Sequence, residues 1–410
     1  MEAREVRGLE IAANSNITRN GQVWIVPSQT TSKSYIVNLH SNPPSCTCPD
    51  HESNRLRCKH IYAVEHFIRG QSGEVLPNFE KHVKPTYKQA WAAYNLAQTY
   101  EKARFQELLY GLCQTIEDIP RKAGGGRNRL PLGEMIFCSA FKVYSTISGR
   151  RFISDLRGAQ QHGYLAKTPH FNSIFNYFEL EEMTACLKHL IIESSLPLKA
   201  VETDFAVDSS GFRTKGYSTW FSTKYQREID KSEWIKVHLM CGVKTNIVTA
   251  VEVSSRKDHD SPFFPSLINT TSQSGFTLRE VSADKGYDSY NHRRLVLVKG
   301  AIPYIPFRSF AQPDGKGELW RRMYHFYCYH QEEFFQHYHK RSNVESTFSM
   351  MKAKFGEKLR SKTDVSQVNE ALCKVLCHNL CCVIQSIYEL GIEVDFCAES
   401  PLAHLLGRLT

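Results

Sequence analysis

The sequence has no uninterrupted apolar run approaching the ~20 residues that a membrane-spanning helix needs. Its opening, MEAREVRGLE, carries both signs of charge and no apolar segment, so no secretory signal is expected there. Internal repeats and low-complexity tracts are also absent, which excludes solenoids and fibrous arrays. Neither sign of charge dominates: 51 Lys and Arg against 42 Asp and Glu leave a net charge of +9. That modest surplus points toward a polyanionic partner rather than an acidic small molecule. With 41% apolar and 23% charged residues, the 410-residue chain can bury a sizeable core, which excludes general disorder. At about 100–200 residues per domain it has room for two to four domains.

Cysteine, by contrast, is plentiful: thirteen residues, too irregularly spaced for a disulfide framework. They are expected to be reduced thiols, most of them small core residues and some of them metal ligands.

Along the chain, Val23–Pro27 and Tyr35–Leu39 read as strands and His60–Arg69 as a helix, which marks residues 1–70 as a first unit. Residues 71–84 read as a linker and 121–129, RKAGGGRNR, as a basic connector. Residues 86–117 and 131–195 read as helical, with Ser148 a candidate cap for a helix bearing Arg150, Arg151 and Arg157. From about residue 200 the texture changes. Val201–Asp208, Trp234–Val243, Ile247–Val253, Leu278–Ala283 and Ile302–Phe307 read as five strands. Pro262–Thr271 and Ser289–Lys299 read as helices between them, 318–341 as one aromatic, charged helical stretch, and 366–390 as a long final helix. Three strands joined by short turns followed by helix crossovers predict a mixed sheet.

Cys46, Cys48, Cys58 and His60 form C-x-C-x9-C-x-H, and its three cysteines are the only ones in the first 100 residues. Two close pairs separated by a loop can converge on one zinc ion, whose tetrahedron takes sulfur and imidazole nitrogen. Four unrelated reduced side chains are the plainer alternative. His51 is a spare ligand candidate that breaks the paired pattern. The arrangement resembles the SWIM zinc finger, and the resemblance implies one structural Zn²⁺ in a module that binds DNA or protein.

Three acids sit where a second metal site is conceivable. Asp208 is expected to end the first strand, followed by a turn at Ser209–Gly211; Asp284 is expected to end the fourth; Glu345 lies in a late helical stretch. Strand ends project side chains into the crevice beyond a sheet. Carboxylates at such points suit Mg²⁺, which takes oxygen ligands and keeps waters. Singly, each acid reads as a turn or surface charge; jointly they do not. Downstream, Tyr338, Arg341, Glu345 and Lys352 form Y-x2-R-x3-E-x6-K. On one continuous helix, those spacings fall on one face.

The topology, the acid placement and this spacing resemble the DDE transposases, specifically the YREK-signature group of insertion-sequence transposases. Segments VDSSGF, KVHLMCGVKTNIVTAVEV, SADKGYDS and HKRSNVESTFSMMKAKFG carry the likeness. The resemblance implies an α/β multidomain chain. Its parts would be an RNase H-like mixed five-stranded sheet with flanking helices, a preceding helical domain and a small zinc-binding α+β module. The expected boundaries are 1–70 for the zinc module, 85–198 for a helical region binding DNA ends, 199–365 for the catalytic domain, and 366–410 for a C-terminal helix and tail. Asp208, Asp284 and Glu345 would be catalytic and hold two Mg²⁺ or Mn²⁺ ions. Tyr338, Arg341 and Lys352 would contact DNA phosphates. The implied activity is cleavage at transposon terminal inverted repeats and joining of the 3′-OH ends to target double-stranded DNA. It would be carried out by a homodimer on DNA, without a membrane partner, in a prokaryotic cytoplasm at the nucleoid. A catalytically inactive zinc-module DNA-binding protein, and a metal-dependent nuclease that does not join strands, are the alternatives.

Other features read more plainly. Eight aromatics between Trp320 and Tyr338 are expected to pack a helix onto the sheet, while Trp220 is a weak base-stacking candidate. Cys373, Cys377 and Cys381 recur on one face of an apolar helix and read as inert core thiols. Asp258 and Asp260 read as metal-site support or, for Asp260, as a helix cap. Seven Lys or Arg within 340–362 suit phosphate binding, although a charge run is usually a solvated face.

Overall fold

The computed structural model describes residues 3–29, 33–54, 56–71, 90–118, 129–214, 234–314 and 317–396. The linker at 72–84, the glycines of the basic connector and Trp220 therefore lie outside the described residues. The chain divides into two compact units, residues 1–88 and 89–410.

In the first unit, helix α1 (Ala3–Asn14) precedes an antiparallel sheet of β1 (Thr18–Asn20), β2 (Val23–Pro27), β3 (Ser34–Asn38) and β4 (Ser45–Cys46), in spatial order β1-β2-β3-β4. Helices α2 (Pro49–Asn54) and α3 (Lys59–Gln71) follow. Alternation along β2 and β3 buries Trp24, Val26 and Val37 on one face, where Ile61 and Val64 of α3 cover them. Trp24 meets Phe67 edge-on at 5.9 Å.

The second unit begins with helices α4 (Trp91–Cys113), α5 (Leu132–Ser145), α6 (Gly149–Gln161), α7 (Phe171–Phe178) and α8 (Glu181–Ser195). Ser148 stands at the start of α6 but makes no side-chain cap bond. A five-stranded sheet follows: β5 (Asp204–Arg213), β6 (Trp234–Gly242), β7 (Val248–Ser255), β8 (Glu280–Ala283) and β9 (Ile302–Tyr304), in order β7-β6-β5-β8-β9. β5, β6 and β7 form an antiparallel meander, and helices α9 (Phe264–Gln273) and α10 (Tyr290–Val298) carry the crossovers that set β8 and β9 parallel to β5. This is the mixed, RNase H-like sheet expected from the sequence.

Two expectations are corrected. β5 does not end at Asp208; β6 pairs with it as far as Arg213↔Trp234, so Ser209–Gly211 is strand rather than turn. Gly211 answers a packing need instead: a Cβ there would stand 2.8 Å from the Trp234 ring. The stretch at 318–341 is not one helix. It divides into α11 (Glu318–Tyr329), α12 (Gln331–Tyr338) and a 3₁₀ turn, His339–Arg341, that leads into α13 (Ser342–Phe355). Tyr338, Arg341 and Glu345 therefore do not share one continuous helix.

The sheet is covered on both faces, as parallel strands require. Phe205, Val207 and Met240 pack under α9 and α10, while Ala206, Phe212, Leu239 and Cys241 face the helical side. The last helix, α14 (Asp364–Leu390), joins that second face to the core of α4–α8. Thr363 and Ser366 form a reciprocal cap at its start. By length and composition alone α14 could cross a membrane, contrary to the reading that no segment is apolar enough, but 72% of its apolar window is buried inside this unit. The twelve described cysteines are free thiols, and Cys373 and Cys377 are core residues of α14. Most aromatics of α11 and α12 also pack: Trp320, Tyr324 and Tyr327 surround Phe307, and Phe334 lies against Tyr304.

Candidate functional site

The Cys/His cluster is assembled by short-range structure. Cys46 lies on β4 opposite Val37 of β3, and Cys48 sits one residue before α2, where its carbonyl accepts the His51 and Glu52 N–H groups. Cys58 occupies the matching place before α3, accepting from Ile61, and His60 falls in the first turn of that helix. All four are buried, and their ligand atoms lie within 4.8 Å of one another. His60 Nδ1 stands 3.9 Å from the sulfurs of both Cys46 and Cys58. A zinc tetrahedron with Zn–S of ~2.3 Å and Zn–N of ~2.0 Å separates its ligands by about 3.5–3.8 Å, so the donor set fits zinc. Hydrogen bonding from the Cys46 thiol pulls Cys58 down to about 3, and that same bond holds Cys46 far above its ordinary value. Three adjacent thiols cannot all ionise unaided; a divalent cation lifts that restriction. Tyr35 covers the His60 ring at 4.6 Å. His51 is not a member: its Nδ1–H donates to the Leu56 carbonyl at 2.8 Å.

The acids converge through strand register. Val207 of β5 pairs with Ala283 of β8, the last residue of each in the parallel ladder. Asp208 and Asp284 are the next residues on neighbouring strands, about 5 Å apart along the hydrogen-bonding direction. By alternation Asp208 shares the face of Ala206 and Phe212, toward which α13 presents Val344, Phe348 and Met351. Glu345 therefore arrives beside Asp208 from above. The Arg341 guanidinium joins the two, with Nη1 donating to Asp208 Oδ2 and Nη2 to Glu345 Oε1. Burial pushes the Asp208 carboxyl up to about 6; its bond from Ser209 N–H and the Arg341 charge oppose that rise, while Asp284 and Glu345 add to it. The Asp284 Oδ1 accepts from Gly286 N–H at 2.6 Å, and a Cβ on Gly286 would stand only 2.7 Å from that oxygen. Glycine at 286 thus makes room for the carboxylate.

Tyr338 stands half-buried beside Arg341; burial raises its phenol, Arg341 pulls it back, and Asp284 and Asp208 raise it further. The Lys352 ammonium, drawn below its ordinary value by burial, donates to Ser210 Oγ at 2.7 Å and lies 5.4 Å from the Phe212 ring. Asp208, Ser210, Glu345 and Lys352 line one open cleft of about 590 Å³. Chemically, the arrangement gathers carboxylate oxygens that invite cations, with basic groups at their edge.

Several supporting residues escaped the sequence reading. Lys340 donates to Asp204 Oδ2 and Glu280 Oε2, each at 2.7 Å, and His337 reaches Glu280 at 2.8 Å. These bonds strap the 3₁₀ turn onto β5 and β8. Behind Asp284, a buried ion pair joins Asp288 to Arg293 at 2.8 Å, and Arg293 also donates to the Ile305 carbonyl. Asp288 lies in the SADKGYDS segment, where nothing local points to Arg293 as its partner. Of the basic run at 340–362, Lys340 is therefore occupied within the fold, and so is Lys354, which donates to Glu101 and to Cys381 Sγ. Asp260 makes no cap bond; it pairs with Lys236 at 2.9 Å. Asp258 accepts from the Ser255 N–H.

Compared with known families, residues 199–380 match the transposase DDE domain and residues 35–68 match the SWIM zinc finger. Curated proteins and solved structures yield no match to this chain. The chain thus carries a phosphoryl-transfer enzyme domain preceded by a zinc-finger module, and nucleic acid is the partner that such a domain implies.

Proposed function

We propose that a chain built from a DDE domain and a SWIM finger works as an insertion-sequence transposase of the YREK type. It cuts phosphodiester bonds at the ends of its element and joins the freed 3′-OH groups to target DNA. The observation that carries this reading is the Arg341 guanidinium spanning Asp208 and Glu345 beside Asp284, the mark of a site that demands positive charge. Two divalent cations held by Asp208, Asp284 and Glu345 would supply activation of the attacking oxygen and stabilisation of the leaving one.

The chain's own groups do the rest. Val207↔Ala283 register fixes the two aspartates on a rigid platform, so little reorganisation is needed when charge develops. Lys352, at the cleft edge, and Tyr338 engage phosphates of the bound end. Arg341 turns from the carboxylates to phosphate once cations neutralise the acids. Residues 85–198, with Arg150, Arg151 and Arg157 on α6, grip the element's end, residues 199–365 carry the chemistry, and the helix of the 366–410 segment, α14, completes the helical side. Synapsis of two ends requires two copies of the chain.

The test is incubation of the full chain with Mg²⁺ and the inverted repeats flanking its own gene. Cleavage at the repeat boundary followed by joining supports the proposal, provided that Glu345→Gln binds the DNA and does neither. Binding without cleavage would leave an inactive DNA-binding protein, and cutting without joining a nuclease.

A further inference from the structure

A second cavity, of about 480 Å³, opens among α5, α6, α7 and the segment joining α13 to α14, and shares no lining residue with the carboxylate cleft. Its volume lies within the range of small-molecule sites. Phe212 stands between the two, with Lys352 5.4 Å from its ring and Lys374 of the second cavity 5.2 Å from it.

Two lysines of this cavity are buried, Lys142 at 7% exposure and Lys374 at 1%. Lys374 is satisfied, donating to the carbonyls of Gly356 and Lys358 at 2.6 and 2.9 Å. Among the described residues, the Lys142 ammonium has neither a hydrogen bond nor an ion pair, and it lies 5.9 Å from the Phe152 ring. Of the two acids that line the cavity, Glu179 is exposed, and the buried Glu370 favours the charged Lys142 from a distance while its oxygens accept from the backbone N–H groups of Arg360 and Ser361 at 2.8–3.0 Å. Arg360 and Lys362 add positive charge at the exposed mouth, and Phe178 and Phe355 supply an apolar floor with Phe175 at the rim.

We propose that this cavity binds a nucleotide, its phosphate against Lys142 and its base against the phenylalanines. The Lys142 ammonium opens onto the cavity without a protein partner, and an anion seated beside it there gains a charge-assisted hydrogen bond. Flat rings of any base sequence stack on aromatic side chains. Burial, then the Arg360 charge, draws Lys142 down to about 8, so it stays mostly charged near neutrality and can meet an anion. The nucleotide has two possible sources, a free mononucleotide or one residue of a bound DNA strand.

Equilibrium dialysis of the full chain with thymidine 5′-monophosphate, thymidine and inorganic phosphate tests this. The monophosphate should bind saturably, and Lys142→Met should weaken it about 10- to 100-fold while leaving thymidine unchanged. In parallel, a shift assay with double-stranded DNA reads the source: equal weakening by Lys142→Met assigns a strand residue, and no change assigns a free nucleotide. Should the variant misfold, trace acetylation of the unaltered chain replaces it, with the monophosphate expected to protect Lys142. No saturation by millimolar monophosphate, or affinity indifferent to Lys142→Met, overturns the proposal, as does Lys142 acetylation indifferent to the ligand. This outcome is independent of strand cleavage, so failure here leaves the transposase reading intact.

Discussion

Replacing Asp208 by Asn should make the metal-free protein more stable while removing its chemistry. The carboxyl is only 20% exposed, and burial lifts it from 3.8 to about 6. An acid whose folded value lies above its unfolded one is harder to ionise in the native state. The resulting penalty is absent below about 3.8, grows as pH rises, and is complete above about 6. At pH 7 the displacement corresponds to about 3 kcal/mol. Asparagine removes the charge but also weakens the tie to Arg341, so a net gain of about 1–3 kcal/mol is expected. Urea denaturation in EDTA at pH 7 measures it, and the gain should shrink steadily as pH falls toward 4. With Mg²⁺ at ten times its dissociation constant, the unaltered chain should recover about 1.4 kcal/mol and the variant nothing. An Asp208→Asn variant less stable than the parent in EDTA at pH 7, or a difference indifferent to pH, would refute the reasoning.

Cys58→Ser should abolish zinc binding and unfold the first unit while the second keeps its thermal transition; a zinc assay and calorimetry read the two parts separately. Asn379 is fully buried on α14 and bonds Val248 N–H, Val248 carbonyl, Ile191 carbonyl and Ser194 Oγ. Asn379→Leu strands those groups and should cost about 3 kcal/mol or more in denaturation experiments. Burial depresses His378 from 6.5 to about 4, and its Nε2–H donates to the Asn246 carbonyl. The unfolded chain therefore takes up the proton first, and stability present above 6.5 is lost as pH falls through 4. His378→Gln should flatten that acid-side slope by up to about 3 kcal/mol, measured by denaturation at several pH values.

What the sequence made legible was local. β-branched runs revealed the strands, the paired cysteines revealed the Cys/His cluster, and the order of elements revealed the mixed sheet. Strand ends were less legible, because β5 extends past Asp208 only through its pairing with β6, and Trp234 is the residue that calls for Gly211. A periodic helical pattern ran smoothly through 318–341, yet the chain tightens at His339–Arg341, where Lys340 is drawn to Asp204 and Glu280. Those partners lie 136 and 60 residues away, and nothing near Lys340 in the sequence announces them. Likewise α14 reads as an apolar core helix, which it is, while its buried Asn369, Lys374 and Asn379 serve backbone groups of distant elements. Propensity and periodicity describe a segment; partners of buried polar groups are a property of the assembled fold.

The claim beneath the functional reading is that Asp208, Asp284 and Glu345 hold divalent cations together. Manganese titration of the full, zinc-loaded chain, followed by electron paramagnetic resonance, measures this most directly. The account predicts saturable Mn²⁺ uptake that is lost on substituting any one of the three acids by its amide. Uptake that survives all three substitutions unchanged would contradict it.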